Sequence, residues 1–103
     1  MLLASFTCTG AADDIVAAPG AGKRVVVHLI QWTMDGAGTF QIHFGTAAAD
    51  TRIAYGDGVA GSQGVISLLS RGAGLRGPVN TALQGTTSAN NLRGVVYYTV
   101  EAA

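Results

Sequence analysis

Charge is what this sequence has least of. Its 103 residues include six Lys/Arg and six Asp/Glu, 12% of the chain, and the formal net charge is zero. A soluble domain ordinarily carries about 25%. The exterior must therefore be covered largely by Ser, Thr, Asn, Gln, Gly, Ala and some apolar side chains, a weakly solvated surface that suits contact with other protein. Zero net charge also removes the self-repulsion that keeps copies apart. The basic residues Lys23, Arg24, Arg52, Arg71, Arg76 and Arg93 are dispersed, and only Lys23 and Arg24 adjoin. Without a basic run the phosphate-neutralising contribution is missing, so no nucleic-acid partner is expected.

Cysteine is nearly absent too. Cys8 stands alone, which rules out an internal disulfide, and a metal site would have to draw its ligands from elsewhere. Its expected role is that of a small buried hydrophobe. No window approaches the ~20 apolar residues of a membrane span. The opening Met1-Leu2-Leu3-Ala4-Ser5-Phe6 has neither a basic region nor an apolar stretch of signal length. The expectation is synthesis in a cytoplasm, no export by the general secretory route and no membrane partner. Helical segments of useful length, internal repeats and linkers are also lacking. The chain reads as one domain, residues 1–103, large enough to bury a core without staples.

What is present is β-pattern punctuated by fifteen glycines. The strongest strand runs from Lys23 to Met34. Val25, Val26 and Val27 are stiff at χ1 and suit a pleated surface. Val25, Val27 and Leu29 line one face, and Val26, Ile30 and Trp32 the other, so both faces are expected to be covered. Asp35-Gly36-Ala37-Gly38 then predicts a hairpin. Its second strand, Thr39 to Thr46, turns Phe40, Ile42 and Phe44 inward and Thr39, Gln41 and His43 outward. Further strands are expected at Leu3–Thr9, Asp14–Ala18, Arg52–Tyr55, Val65–Ser70, Val79–Gln84 and Arg93–Glu101. Loops are expected at Gly56–Gly64 and Arg71–Pro78, and a polar turn at Gly85–Asn91. Seven or eight short strands with regular turn signals predict an all-β fold, a small antiparallel β-sandwich or a barrel.

Residues that carry chemistry are few. His28 and His43 fall on neighbouring strands of the expected hairpin, and a pair of histidines with a carboxylate would suit a metal. Polar positions facing solvent or a subunit contact explain them as well. Asp13, Asp14, Asp35, Asp50 and Asp57 lie in expected loops or strand ends, without the spacing of a calcium loop. Turn chemistry accounts for Asp35-Gly36 and Asp57-Gly58. No Gly-x-Ser-x-Gly elbow surrounds any serine. Glu101 is the only glutamate, which leaves little for a carboxylate-pair hydrolase. Gly20-Ala21-Gly22-Lys23 lacks phosphate-loop spacing and precedes a strand rather than a helix. No catalytic residue, metal site or cofactor is therefore expected. Trp32, Tyr55, Tyr97 and Tyr98 suit core or contact packing, or an aromatic platform for a sugar.

The stretch Ile15-Val16-Ala17-Ala18-Pro19-Gly20-Ala21-Gly22-Lys23-Arg24-Val25-Val26-Val27 resembles the opening of small bacteriophage structural β-sandwich proteins. Gly38–Gly45 and Leu92–Val100 fit the same pattern, so the likeness spans about residues 14–101. Those are jelly-roll-like virion proteins, including capsid decoration (cement) proteins and short tail or fibre modules. The resemblance implies a non-enzymatic component of a virion, a symmetric homo-oligomer such as a trimer, bound to the major capsid protein or another virion protein. Residues 1–12 are then a candidate N-terminal arm or edge strand, in which Met1–Thr9 adds to a neighbour's sheet. The candidate partner contacts are Leu2, Leu3, Phe6, Trp32, Tyr55, Arg71, Leu75 and Arg76. The alternative is a tail-associated module that recognises a glycan or host protein through Trp32, Tyr55 and the Gly56–Gly64 loop.

Overall fold

The computed structural model describes residues 1–45, 52–68 and 74–103, and they form two antiparallel sheets packed face to face. The strands are β1 (Leu2–Cys8), β2 (Asp13–Val16), β3 (Lys23–Met34), β4 (Gly38–Phe44), β5 (Arg52–Gly58), β6 (Gln63–Ser67), β7 (Leu75–Arg76), β8 (Leu83–Thr87) and β9 (Leu92–Ala102). Sheet A has the order β1-β9-β3-β6, and sheet B the order β2-β8-β4-β5. β7 pairs with β3 along the same edge as β6, opposite Val26 and Val27, where β6 stands opposite Leu29–Thr33. The two therefore form one interrupted edge strand, and nine segments fill eight strand positions. Successive strands mostly cross from one sheet to the other, which is the jelly-roll connectivity. The expected all-β sandwich is the observed architecture. No helix among the described residues is long and apolar enough to cross a membrane.

The core lies between the sheets. Val25, Val27, Ile30, Met34, Leu92 and Val96 come from sheet A, and Phe40, Ile42, Phe44 and Leu83 from sheet B. Burying a side chain such as Ile30 or Leu92 stabilises the fold by roughly 1.5–3 kcal/mol. Cys8 is buried among them as expected. Phe40, Ile42 and Phe44 all turn inward, as their alternation predicts.

The face assignment of β3 needs correction. A bulge between Val27 and Leu29 inserts His28 and reverses the alternation. Val25, Val27 and Ile30 consequently share the inner face, while Val26 and Leu29 turn outward.

The hairpin expected at Asp35–Gly38 does not form. β3 belongs to sheet A and β4 to sheet B, so this turn bridges the layers. A neighbouring turn explains the choice. Asp35 N–H donates to Asn91 O, Asp35 Oδ1 accepts from Asn91 N–H at 2.7 Å, and Asn90 Nδ2 donates to Ala37 O at 2.7 Å. The β3–β4 and β8–β9 crossovers thus brace each other. A Cβ at position 36 would lie 2.3 Å from the Asn90 side chain, so the contact needs glycine there.

Two further boundaries move. Val79–Gln84 was expected as one strand, but 79–82 form a turn with Asn80 at φ 48°, a left-handed conformation that asparagine tolerates. Asn80 Oδ1 accepts a hydrogen bond from Gly20 N–H at 2.9 Å, which ties this turn to the β2–β3 loop. The strand begins at Leu83 and takes in Thr86 and Thr87, which were expected in the polar turn. β5 likewise continues through Gly56–Asp57–Gly58, paired with Gly38–Phe40.

Candidate functional site

The outside of sheet A is built from two rows of side chains that register places side by side. Leu3, Tyr97, Leu29 and Ser67 form one row across the four strands, and Ser5, Val95, Gln31 and Val65 the next. Their chain neighbours Ala4, Val96, Ile30 and Ile66 pack into the core, so strand alternation turns these eight outward. None of the eight carries a charge. Leu3 is 58% and Val65 57% exposed, with Leu29 and Val95 half-buried between them. Charges appear only beyond the rows, as Arg93 with Asp35 at one end and Arg24, Glu101 and Arg76 at the other.

β1 borders this face and, among the described residues, pairs only with β9, through seven unbroken register positions. Its sequence, LLASFTC, has no charge, proline or bulge on an open edge. Such edges invite another strand unless they are blunted. The other edges are blunted. β2 is four residues long, starts Asp13-Asp14 and carries a register shift. β5 has Arg52, Asp57 and a shift. Among the described residues β7, on the same edge as β6, is two residues long and ends in Arg76.

The outside of sheet B is polar. Gln84 Nε2 donates to Asp14 Oδ1 at 2.8 Å. Tyr55 stands 66% exposed, with the Arg52 guanidinium carbon 4.1 Å from its ring centre. Thr39, Gln41 and Asp57 surround it in a shallow depression.

His43 was expected to face outward toward solvent or a partner, but it is fully buried within the domain. Its Nδ1 lies 2.6 Å from Gly45 O and its Nε2 2.9 Å from Thr86 Oγ1. A carbonyl can only accept, so Nδ1 carries a hydrogen and donates it to Gly45 O. Both nitrogens are satisfied, which makes burial tolerable. His28 sits in sheet A, with Nε2 2.9 Å from Thr99 Oγ1. The two histidines therefore belong to different sheets and form no pair. Among the described residues no three His, Cys, Asp or Glu side chains gather where they would hold a metal. Burial, and next the Asp13 carboxylate, push the Cys8 thiol up to about 11 against a hydrogen bond at Gly85. A thiol so held is not a nucleophile at neutral pH.

Three of the basic residues, dispersed in the chain, converge in space. Arg24, Arg52 and Arg76 line one cleft of about 400 Å³. Phe44, Ile53, Leu75 and Pro78 supply its apolar lining. Arg24 Nη2 lies 2.6 Å and Arg76 Nε 3.2 Å from the same oxygen, Oε2 of Glu101. The hydrogen bond from Arg24, and next that from Arg76, hold the Glu101 carboxyl below its ordinary range.

The candidate contact residues scatter over these features. Leu2 and Leu3 are exposed on β1. Phe6 is not available, being 7% exposed, in the core and against Gly94. Trp32 is half-buried, its ring centre 5.9 Å from that of Phe40, and it lies across Gly64. Trp32 and Tyr55 thus belong to different sheets. Leu75 and Arg76 line the arginine cleft. Arg71 lies outside the described residues, as does Asp50. Arg24 and Arg52 were missed as site residues, because no sequence signal links positions 28 residues apart that sit on different sheets.

No protein-family model and no curated protein matches the chain.

Proposed function

We propose that this protein is a non-enzymatic structural component of a bacteriophage particle, a capsid decoration (cement) protein that binds and stabilises the head as a homotrimer. The observation that carries the reading is the bare edge of β1 beside two rows of uncharged, partly apolar side chains. Monomeric proteins keep such features small or protected. Neighbouring copies would cover the rows, and β1 would extend a neighbour's sheet. The jelly roll is a fold that viral capsid and lectin domains share, although fold alone assigns no function. The resemblance over residues 14–101 supplies the particle and the trimer. A cement protein needs only weak contacts, because repetition over a shell multiplies them. The partner is then the major capsid protein or another virion protein, and the location is the virion after assembly in the host cytoplasm.

Light scattering of the purified chain tests the first step, with an assembled oligomer expected. Incubation with heads that lack it tests the second, with saturable binding expected. A single copy at high concentration that ignores shells overturns the proposal.

Exposed Tyr55, stacked by Arg52 and ringed by Thr39, Gln41 and Asp57, favours a second reading, a tail- or fibre-associated module that binds a glycan or host protein. A glycan array separates the two. Binding that disappears in Tyr55→Ala with the fold intact selects the second.

A further inference from the structure

Three of the chain's six Lys/Arg residues line one cleft. Arg24 and Arg76 both turn to the single carboxylate of Glu101. Arg52 has no ion pair among the described residues, and its guanidinium rests on Tyr55. Its Nε–H is buried without an acceptor, the only such side-chain atom among the described residues. A buried donor left unmade is costly and asks for a partner. Among the described residues these three guanidinium groups face the one carboxylate of Glu101, and the Arg52 group takes no part in that pairing. An Arg fork matches the two oxygens of a carboxylate, and the match gains strength in a partly desolvated site.

The walls of the cleft point to the kind of molecule that brings the anion. One wall is β5, an edge of sheet B, and the other is β7, on an edge of sheet A. Phe44, Ile53, Leu75 and Pro78 provide an apolar lining beside the cations. About 400 Å³ holds one or two side chains, not a whole domain.

We propose that this cleft binds an acidic polypeptide segment of a partner protein, taking one Asp or Glu carboxylate on Arg52 with an adjacent apolar side chain against Phe44 and Leu75. The site is separate from the two uncharged rows of sheet A and from β1, so it stands or falls independently of the particle reading.

NMR titration of the full chain tests it with three probes: acetyl-Leu-Glu-Val-amide, its glutamine analogue, and inorganic phosphate. The acidic peptide should shift the amides of Ile53, Leu75 and Gly77 saturably. The glutamine peptide should bind the wild-type protein at least about tenfold more weakly, the loss expected when a charge-assisted fork is removed. Arg52→Met, which keeps the aliphatic stem, should weaken the acidic peptide by a similar factor. Should Arg52→Met fail to fold, the comparison of the two peptides on wild-type protein still decides. Equal binding of both peptides, shifts elsewhere on the surface, or no saturation overturns the proposal. Phosphate that binds as tightly as the acidic peptide and displaces it overturns the polypeptide assignment and leaves a simple oxyanion site.

Discussion

The two sheets are alike inside and opposite outside. Each contributes aliphatic and sulfur or aromatic side chains to one core. On its exterior, sheet A shows two rows without a charge and an unprotected strand β1. Sheet B shows Asp14 with Gln84, Arg52 over Tyr55, and a fully satisfied histidine beneath Thr86. Its edges, β2 and β5, carry charge and register shifts. Interior packing requires only that both sheets present apolar faces, so it places no demand on what lies outside. The uncharged exterior of sheet A is the surface that the proposed assembly would cover.

The sharpest way to break this contrast is to charge each face in turn. Leu29→Glu with Val95→Glu should dissociate the assembly, lowering its association constant at least about 100-fold, or roughly 3 kcal/mol. Gln41→Glu with Thr39→Glu, placed on the outside of sheet B, should leave the native mass unchanged. Sedimentation of both variants, with circular dichroism to confirm the fold, reads the difference. Equal behaviour of the two pairs would show that the faces do not differ in use.

A smaller effect separates the histidines. His43→Ala leaves the Gly45 carbonyl and the Thr86 hydroxyl without their buried partner and opens space, so it should cost about 2–3 kcal/mol in denaturant unfolding. His28→Ala removes one hydrogen bond at a half-buried position on sheet A and should cost about 1 kcal/mol or less. Reversal of that order would contradict the burial of His43.

The smallest effect concerns the charged end of sheet A. Arg24 holds Glu101 below its ordinary value of 4.5. A carboxyl depressed in the folded state contributes stability that is complete above its unfolded pKa and lost as pH falls through the folded value. Wild-type melting temperature should therefore drop below about pH 4.5 by more than that of Glu101→Gln. High salt should shrink the difference, since Glu101 is in contact with solvent. Identical acid profiles would remove the ion cluster from any part in stability.

Much of the fold is legible along the chain. The valine run marks β3 to its exact ends at Lys23 and Met34, and the alternation in β4 correctly turns Phe40, Ile42 and Phe44 inward. The site is less legible. Leu2, Leu3 and Phe6 were candidate contacts alike; Leu2 and Leu3 are exposed, whereas Phe6, three positions beyond Leu3 on the same strand, belongs to the core. Strand alternation alone does not say which parity faces in. The arginine cleft was legible only through Leu75 and Arg76.

Composition, spacing and side-chain stiffness by themselves determined that this chain is all-β, that it is short of surface charge, and that glycine-rich turns divide it into short strands. These are local or summed properties, and each residue contributes to them regardless of its distant neighbours. The tertiary structure alone decided that Asp35–Gly38 crosses between sheets, that His43 is buried, and that Arg24, Arg52 and Arg76 meet. Each of those outcomes depends on contacts between residues far apart in the chain, such as Asp35 with Asn91 or His43 with Thr86. The energy of such contacts exists only once both partners have been brought to the same place.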